Sequence, residues 1–243
     1  MPDEIRTAAV LVIGDEILSG RTKDRNIGFI ADRMTSLGID LKEVRIVADE
    51  KDAIISAIRA LSDRYSIVLT TGGIGPTHDD ITAESVAEAF GVTAPVDDRA
   101  RALLQGHYDR TGRTMTEARL RMARIPEGAD LIENSVSSAP GFSIRNVHVM
   151  AGVPAIMQAM LDALTPRLPT SVVMISETIE AHRGETEVSA LLEAVQADFP
   201  QVQIGSYPYH DGERYTTRIV ARSRDAEKLE SAIAALNGGL KAS

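Results

Sequence analysis

Thr70-Thr71-Gly72-Gly73-Ile74-Gly75-Pro76-Thr77-His78-Asp79-Asp80 follows the apolar run Ser66-Ile67-Val68-Leu69 and precedes a helical pattern from Thr82 to Phe90. Strand, glycine-rich turn and helix in that order describe one unit of an α/β sheet. Glycines at 72, 73 and 75 let the backbone come close to a ligand and turn its N–H groups toward an anion. Three glycines in four positions, with Pro76 behind them, exceed what an ordinary turn needs. Two aspartates close the same loop. Anion-binding amides beside carboxylates fit a cation held between them, or a carboxylate acting as a base, as in metal-assisted chemistry on phosphates.

Working outward, the unit repeats. Ala8-Ala9-Val10-Leu11-Val12-Ile13 is a continuous apolar run, as in a strand buried on both faces of a parallel sheet, and it ends at Gly14-Asp15-Glu16. Ile27, Ile30, Met34 and Leu37 follow at helical spacing, with Gly38 as the stop. Val44 to Val47 reads as a second strand leading to Ala48-Asp49-Glu50, and Ile54, Ile55, Ile58 and Leu61 mark the next helix. The alternation predicts an α/β fold, a three-layer, doubly wound, mostly parallel sheet. Arg99 to Arg124 reads as mostly helical with a break at Thr111-Gly112, followed by short strands near Leu131-Ile132, Phe142-Ile144 and Val147-Met150 and a helix ending near Leu164.

Pro166 and Pro169 bracket a linker, so the first domain is expected over 1–167 and a second, small α+β domain over 168–243. In the latter, strands at Ser171–Glu180, Val202–Tyr207 and Tyr215–Ala221 are expected with helices at 185–197 and 226–236. Ser206 to Gly212 reads as a strand running into a hairpin loop, with its aromatics serving domain packing.

The chain has 243 residues, a formal net charge of −9 and no cysteine. Disulfides, thiolate zinc sites and cysteine nucleophiles are thereby excluded, and a cytoplasmic location is the expectation. The negative charge argues against a nucleic-acid partner. The start Met1-Pro2-Asp3-Glu4 lacks a basic, apolar leader, and the apolar window 147–164 is interrupted by His148, Gly152, Pro154, Gln158 and Asp162, so no membrane association is expected.

In an open α/β sheet ligands bind beyond the carboxyl ends of the strands. Gly14-Asp15-Glu16, Ala48-Asp49-Glu50 and Thr71 to Asp80 all follow strands, so Asp15, Glu16, Asp49, Asp79 and Asp80 are expected to gather beside the glycine loop. Each has a plainer reading. Asp79 or Asp80 could cap the following helix, capping is the favoured reading of Asp49-Glu50 on pattern alone, and Glu16 could be a solvated carboxylate. No Walker A lysine follows the loop, and no third glycine completes a dinucleotide fingerprint. His78 could contact substrate or stand exposed, and His148, in an apolar strand, is read as a satisfied core histidine. No Ser-His-Asp arrangement is apparent.

The stretch from Ile67 to Thr82 resembles the signature of the molybdopterin-binding domain family, in the version carried by competence/damage-inducible protein A (CinA). Gly14 to Gly20, with Asp24 and Asn26 downstream, is similar to that family's other strong motif, and Ala139-Pro140-Gly141-Phe142 and Gly152-Val153-Pro154 continue the match. Ser137 and Ala151 depart from it, standing where the family usually has glycine and proline. The second domain, with Ile204 to Pro208, is similar to a segment of eukaryotic FAD synthases. The amidase domain of full-length CinA has no counterpart here, so amidase activity is not expected. The resemblance implies a divalent-metal-dependent (Mg, Mn or Co) pyrophosphatase acting on ADP-ribose, FAD or a similar adenosine diphosphate compound. It assigns catalysis to Asp49, Asp80 and Glu16, the metal to Asp49, Asp80 and Asp79, and phosphate or nucleotide binding to Gly14, Asp15, Asn26, Thr71, Gly72, Gly73, Gly75, Pro76, Thr77, Gly152 and Pro154. The alternatives are a molybdopterin-binding, adenylyl-transferring protein and a non-catalytic nucleotide-binding module. A nucleotide or pterin is the expected small-molecule partner, and a homo-oligomer, dimer or trimer, the expected assembly.

Overall fold

The computed structural model describes residues 5–242, which fall into two compact units dividing between Ser171 and Val172. Residues 1–4, read above for a leader, lie outside the described residues.

In the first unit the apolar runs become strands β1 (Thr7–Ile13), β2 (Asp40–Val47) and β3 (Ile67–Thr71). The short runs downstream become β4 (Asp130–Ile132), β5 (Gly141–Ile144) and β6 (Val147–Met150). They form one six-stranded sheet in the order β2-β1-β3-β6-β5-β4. The β1–β2, β1–β3 and β3–β6 pairs are parallel, whereas β5 runs antiparallel to β6 and β4 antiparallel to β5.

Alternation along β1 feeds two cores. Ala9, Leu11 and Ile13 pack with Ile54, Ile58 and Leu61 of α3 (Lys51–Arg64) and Val86 of α4 (Thr82–Phe90). Val10 and Val12 pack on the other face with Ile30 and Met34 of α2 (Asn26–Ser36) and Met157 and Leu161 of α7 (Pro154–Leu164). Helices on both faces make the three layers, and burial of both faces is what the unbroken apolar runs require.

Two details differ from the sequence reading. A one-turn helix, α1 (Asp15–Leu18), begins where a loop was expected. β2 starts four residues early, at Asp40, its pairing with β1 continuing across a register irregularity between Ala8 and Ala9. The 99–124 segment breaks where expected: α5 (Asp98–Thr111) ends at Gly112 in the left-handed region, then α6 (Glu117–Leu120) and a 3-10 turn (Arg121–Ala123) follow.

The second unit is a three-stranded antiparallel sheet, β7 (Ile175–Glu180), β9 (Tyr215–Ser223) and β8 (Gln203–His210) in the order β7-β9-β8. Val188 and Val195 of α8 (Glu185–Asp198) and Leu229 and Leu236 of α9 (Ala226–Ala242) cover Ile219 and Ala221. β8 runs on through Pro208, which its edge position tolerates because an outward proline forfeits no ladder bond. Of the two tyrosines expected to pack, Tyr207 stands 48% exposed, whereas Tyr209 is partly buried, its hydroxyl donating to Glu180 Oε2 (2.5 Å) and its ring lying under the Arg218 guanidinium at 4.1 Å. Among the described residues no helix is long and apolar enough to cross a membrane.

Candidate active site

β1 has β2 on one side and β3 on the other, so the direction of winding reverses between β1 and β3. A crevice opens beyond the strand ends at such a point. The two glycine loops meet there. Gly72 has φ +104°, and a Cβ on it would lie 2.1 Å from the Ile13 carbonyl oxygen, so no other residue lets the β3 loop lie against the end of β1. The Thr82 hydroxyl donates to the Gly72 carbonyl (3.1 Å) and the Thr82 N–H to the Gly73 carbonyl (3.0 Å), which ties the loop to the first residue of α4. The Gly72 N–H in turn donates to the Met150 carbonyl (3.1 Å).

Asp49 and Asp80 are held by loops and cap no helix, whereas Asp15 and Glu16 open α1. The Asp15 N–H donates to Asp49 Oδ2 (2.9 Å) and the Asp49 N–H to Asp15 Oδ1 (3.4 Å), a reciprocal clamp across the ends of β1 and β2. Glu50 is the residue flanking α3, and no side chain caps that helix, so the capping reading of Asp49-Glu50 is corrected: the Asp15 amide competes successfully for the Asp49 carboxylate. Asp80 is no cap either. Its Oδ2 accepts from the Thr77 N–H (2.8 Å) and the Thr77 hydroxyl (2.5 Å), folding the carboxylate back over Gly75, where a Cβ would come within 2.6 Å of it. The Glu16 carboxylate lies over Gly14 in the same manner, 2.6 Å from the place a Cβ would take.

Together these loops wall a cavity of about 550 Å³, within the range of small-molecule sites. Glu16, Asp49, Asp79 and Asp80 line it with the Gly72–Pro76 loop and Gly152–Pro154, while Met122, Ile156 and Met160 add an apolar wall. Burial pushes the Asp49 carboxyl above its usual range, the Asp15 N–H opposes this, and the negative charges of Asp15, Glu16 and Asp79 reinforce it. A carboxylate crowded by like charges is one that a cation relieves.

The donor set fits a hard divalent cation. All the cavity's ionisable groups are carboxylates, which suit Mg or Mn. Among the described residues no three of them form a ready-made ligand set. Such an arrangement fits an ion that keeps several waters and is completed by substrate phosphates.

A family model described as a probable molybdopterin binding domain matches residues 9–170. The chain belongs to that family. A second model, the FAD synthase middle domain, matches residues 173–243. Among solved structures, CinA from Thermoplasma acidophilum, described as of unknown function, is 34% identical, with a TM-score of 0.62 over 67% of this chain and 98% of that one. A protein of Archaeoglobus fulgidus is 31% identical over 226 residues, covering 92% of this chain and 93% of its own. A probable FAD synthase of Caenorhabditis briggsae is 31% identical over 259 residues, and this chain spans 50% of its length.

Within the family frame, Glu16, Asp49, Gly72, Gly73, Gly75, Pro76, Asp79, Asp80, Gly152 and Pro154 all line the cavity. Gly14, Asp15, Asn26, Thr71 and Thr77 do not, although Asp15, Asn26 and Thr77 hold residues that do. Asn26, buried at the start of α2, donates through Nδ2 to the Gly152 carbonyl (2.8 Å), fixing the Gly152–Pro154 wall. Thr77 serves Asp80. His78 stands exposed, its Nδ1 3.9 Å from Asp79 Oδ1. His148 is partly buried, bonded to the Ser143 hydroxyl (2.9 Å) and pushed down to about 4 by burial.

Sequence reasoning missed Thr22, Met122 and Asn134. Asn134 organises the 134–139 loop on the cavity wall: its Oδ1 accepts from the N–H of Val136 (3.0 Å) and Ser137 (3.2 Å), and its Nδ2 donates to Ser137 Oγ (2.7 Å) and the Ala139 carbonyl (2.9 Å). An asparagine opening a serine-rich turn was the available signal.

Proposed function

We propose that the chain is a divalent-metal-dependent pyrophosphatase acting on ADP-ribose, FAD or a related adenosine diphosphate compound. The observation that carries the reading is the meeting of four carboxylates with the glycine-loop backbone in one cavity at the switch point of the sheet. Kinship of the second unit with the FAD synthase middle domain supports the substrate class.

The backbone amides of Gly73, Ile74 and Gly75 bind diphosphate oxygens, since successive N–H groups beside glycines form an anion nest. Asp49 and Asp80, with Asp79, would hold the cation, which when bound neutralises phosphate charge and activates water. Glu16 orients the attacking water and takes up its proton. The water oxygen bonds to one phosphorus, the bridging P–O bond breaks, and the second phosphate leaves with that bond's electron pair. ADP-ribose gives AMP and ribose 5-phosphate; FAD gives AMP and FMN. The Met122, Ile156 and Met160 wall receives an apolar face of the substrate.

Incubation of the protein with ADP-ribose and FAD under Mg, Mn or Co, read by product identification, tests the proposal. Intact substrates under every metal refute it. Family membership favours a second reading, adenylyl transfer to molybdopterin at the same loop; ATP-dependent adenylylation lost in Asp80→Asn would establish that instead. Tight nucleotide binding without product under any metal would point to a non-catalytic module.

A further inference from the structure

The main cavity is lined by four acids and by no lysine, arginine or histidine. Backbone amides and a divalent cation leave a diphosphate without a side-chain counter-ion. Arg121 is placed to supply one. The 3-10 turn Arg121–Ala123 brings it against the outer side of the glycine loop, where it shares a narrow crevice with Gly73, Ile74, Gly75 and Asp80. Its neighbour Met122 lines the main cavity. The Arg121 side chain is exposed, and its Nη1 makes one long bond, 3.4 Å, to the Thr77 carbonyl of the loop itself. No carboxylate pairs with it among the described residues. Arg124, one turn on, shows the contrast: its Nη1 is held by Glu84 Oε1 at 2.6 Å. Arg21, Lys23 and Arg25 flank Thr22, which lines the cavity, yet none of the three lines any of the cavities described.

We propose that Arg121 is a phosphate-binding residue of this site, its guanidinium giving up the weak Thr77 contact to clamp a phosphate lying on the Gly72–Thr77 loop. The guanidinium fork matches phosphate oxygens two at a time, which a lysine does not reproduce. An unpaired, exposed arginine also gives up little to make that bond, whereas one already held by a carboxylate would first have to break an ion pair. The inference deepens the pyrophosphatase reading and rests on it.

The test compares wild-type, Arg121→Met, Arg121→Lys and Lys23→Met proteins for calorimetric binding of ADP-ribose and of adenosine, and for metal-dependent ADP-ribose cleavage, with circular dichroism to verify folding. Arg121→Met is expected to weaken ADP-ribose binding roughly 10- to 100-fold, the loss of one charge-assisted contact, and to leave adenosine binding unchanged. Arg121→Lys recovers part of the loss, and Lys23→Met behaves as wild type. Unchanged ADP-ribose affinity in Arg121→Met, with wild type active, overturns the role of Arg121 and leaves the pyrophosphatase reading standing. Equal loss of ADP-ribose and adenosine binding in that variant overturns it also, as general damage to the cavity. A wild-type protein that neither binds nor cleaves ADP-ribose overturns both.

Discussion

Replacing Gly72 with alanine tests the close approach on which the site is built. At φ +104° the backbone lies in a region that L side chains rarely adopt, and the new Cβ would meet the Ile13 carbonyl oxygen at 2.1 Å. The left-handed conformation alone costs about 1–2 kcal/mol. The clash adds about 1–3 kcal/mol, because the atom opposed is main chain of the buried β1 strand and not a side chain that can turn away. Gly91, at φ +72° with nothing within 4 Å of a Cβ, isolates the conformational part. Gly91→Ala is therefore expected to cost about 1 kcal/mol after the gain from a stiffer unfolded chain is set against it. For a unit of this size each kcal/mol moves Tm by about 2–4 °C. Thermal denaturation followed by circular dichroism should lower Tm by about 6–12 °C in Gly72→Ala, taking about 3 kcal/mol, and by about 2–4 °C in Gly91→Ala. Equal shifts in the two variants would refute the claim that the β3 loop is pressed against the end of β1.

Asp49→Asn should be more stable than wild type at neutral pH. The folded-state pKa of Asp49 is raised, so the folded protein takes up a proton before the unfolded chain does as pH falls; wild type gains on the variant between neutrality and the usual aspartate range. Urea midpoints at pH 7 and pH 5 check the sign, and a gap that widens on acidification contradicts it. Thr82→Val leaves the Gly72 carbonyl without its 3.1 Å donor and should cost about 1–3 kcal/mol in urea unfolding. Asp80→Asn can still accept from the Thr77 amide, so it should fold normally while losing about 100-fold or more in metal-dependent turnover. Fluorescence-monitored unfolding and product assays separate the two effects.

The parallel sheet was legible because strands buried on both faces leave unbroken apolar runs, and the gathering of the acid-bearing loops because strand ends in such a sheet converge. The partners of the acids were not legible. Asp49 reads as a helix cap from its neighbours, and only the long-range pairing of β1 with β2 brings the Asp15 amide to it. Helix α1 was hidden by its length, since four residues cannot show a helical period. Met122 and Arg121 reach the loop through a segment some forty residues downstream whose local pattern says helix and nothing of its destination. In the second unit, Tyr207 is exposed while Tyr209 of the same strand is held by Glu180 of β7 and Arg218 of β9, a difference that only the pairing of the strands sets.

Hydrolysis of ADP-ribose in ¹⁸O-labelled water, with Mg, Mn or Co and mass-spectrometric identification of products, tests the central claim most directly. The account predicts metal-dependent AMP and ribose 5-phosphate with one labelled oxygen in one of the two phosphates, and a yield lower by about 100-fold or more from Asp49→Asn or Asp80→Asn. Intact ADP-ribose under all three metals, or cleavage at the wild-type rate in both aspartate variants, would contradict it.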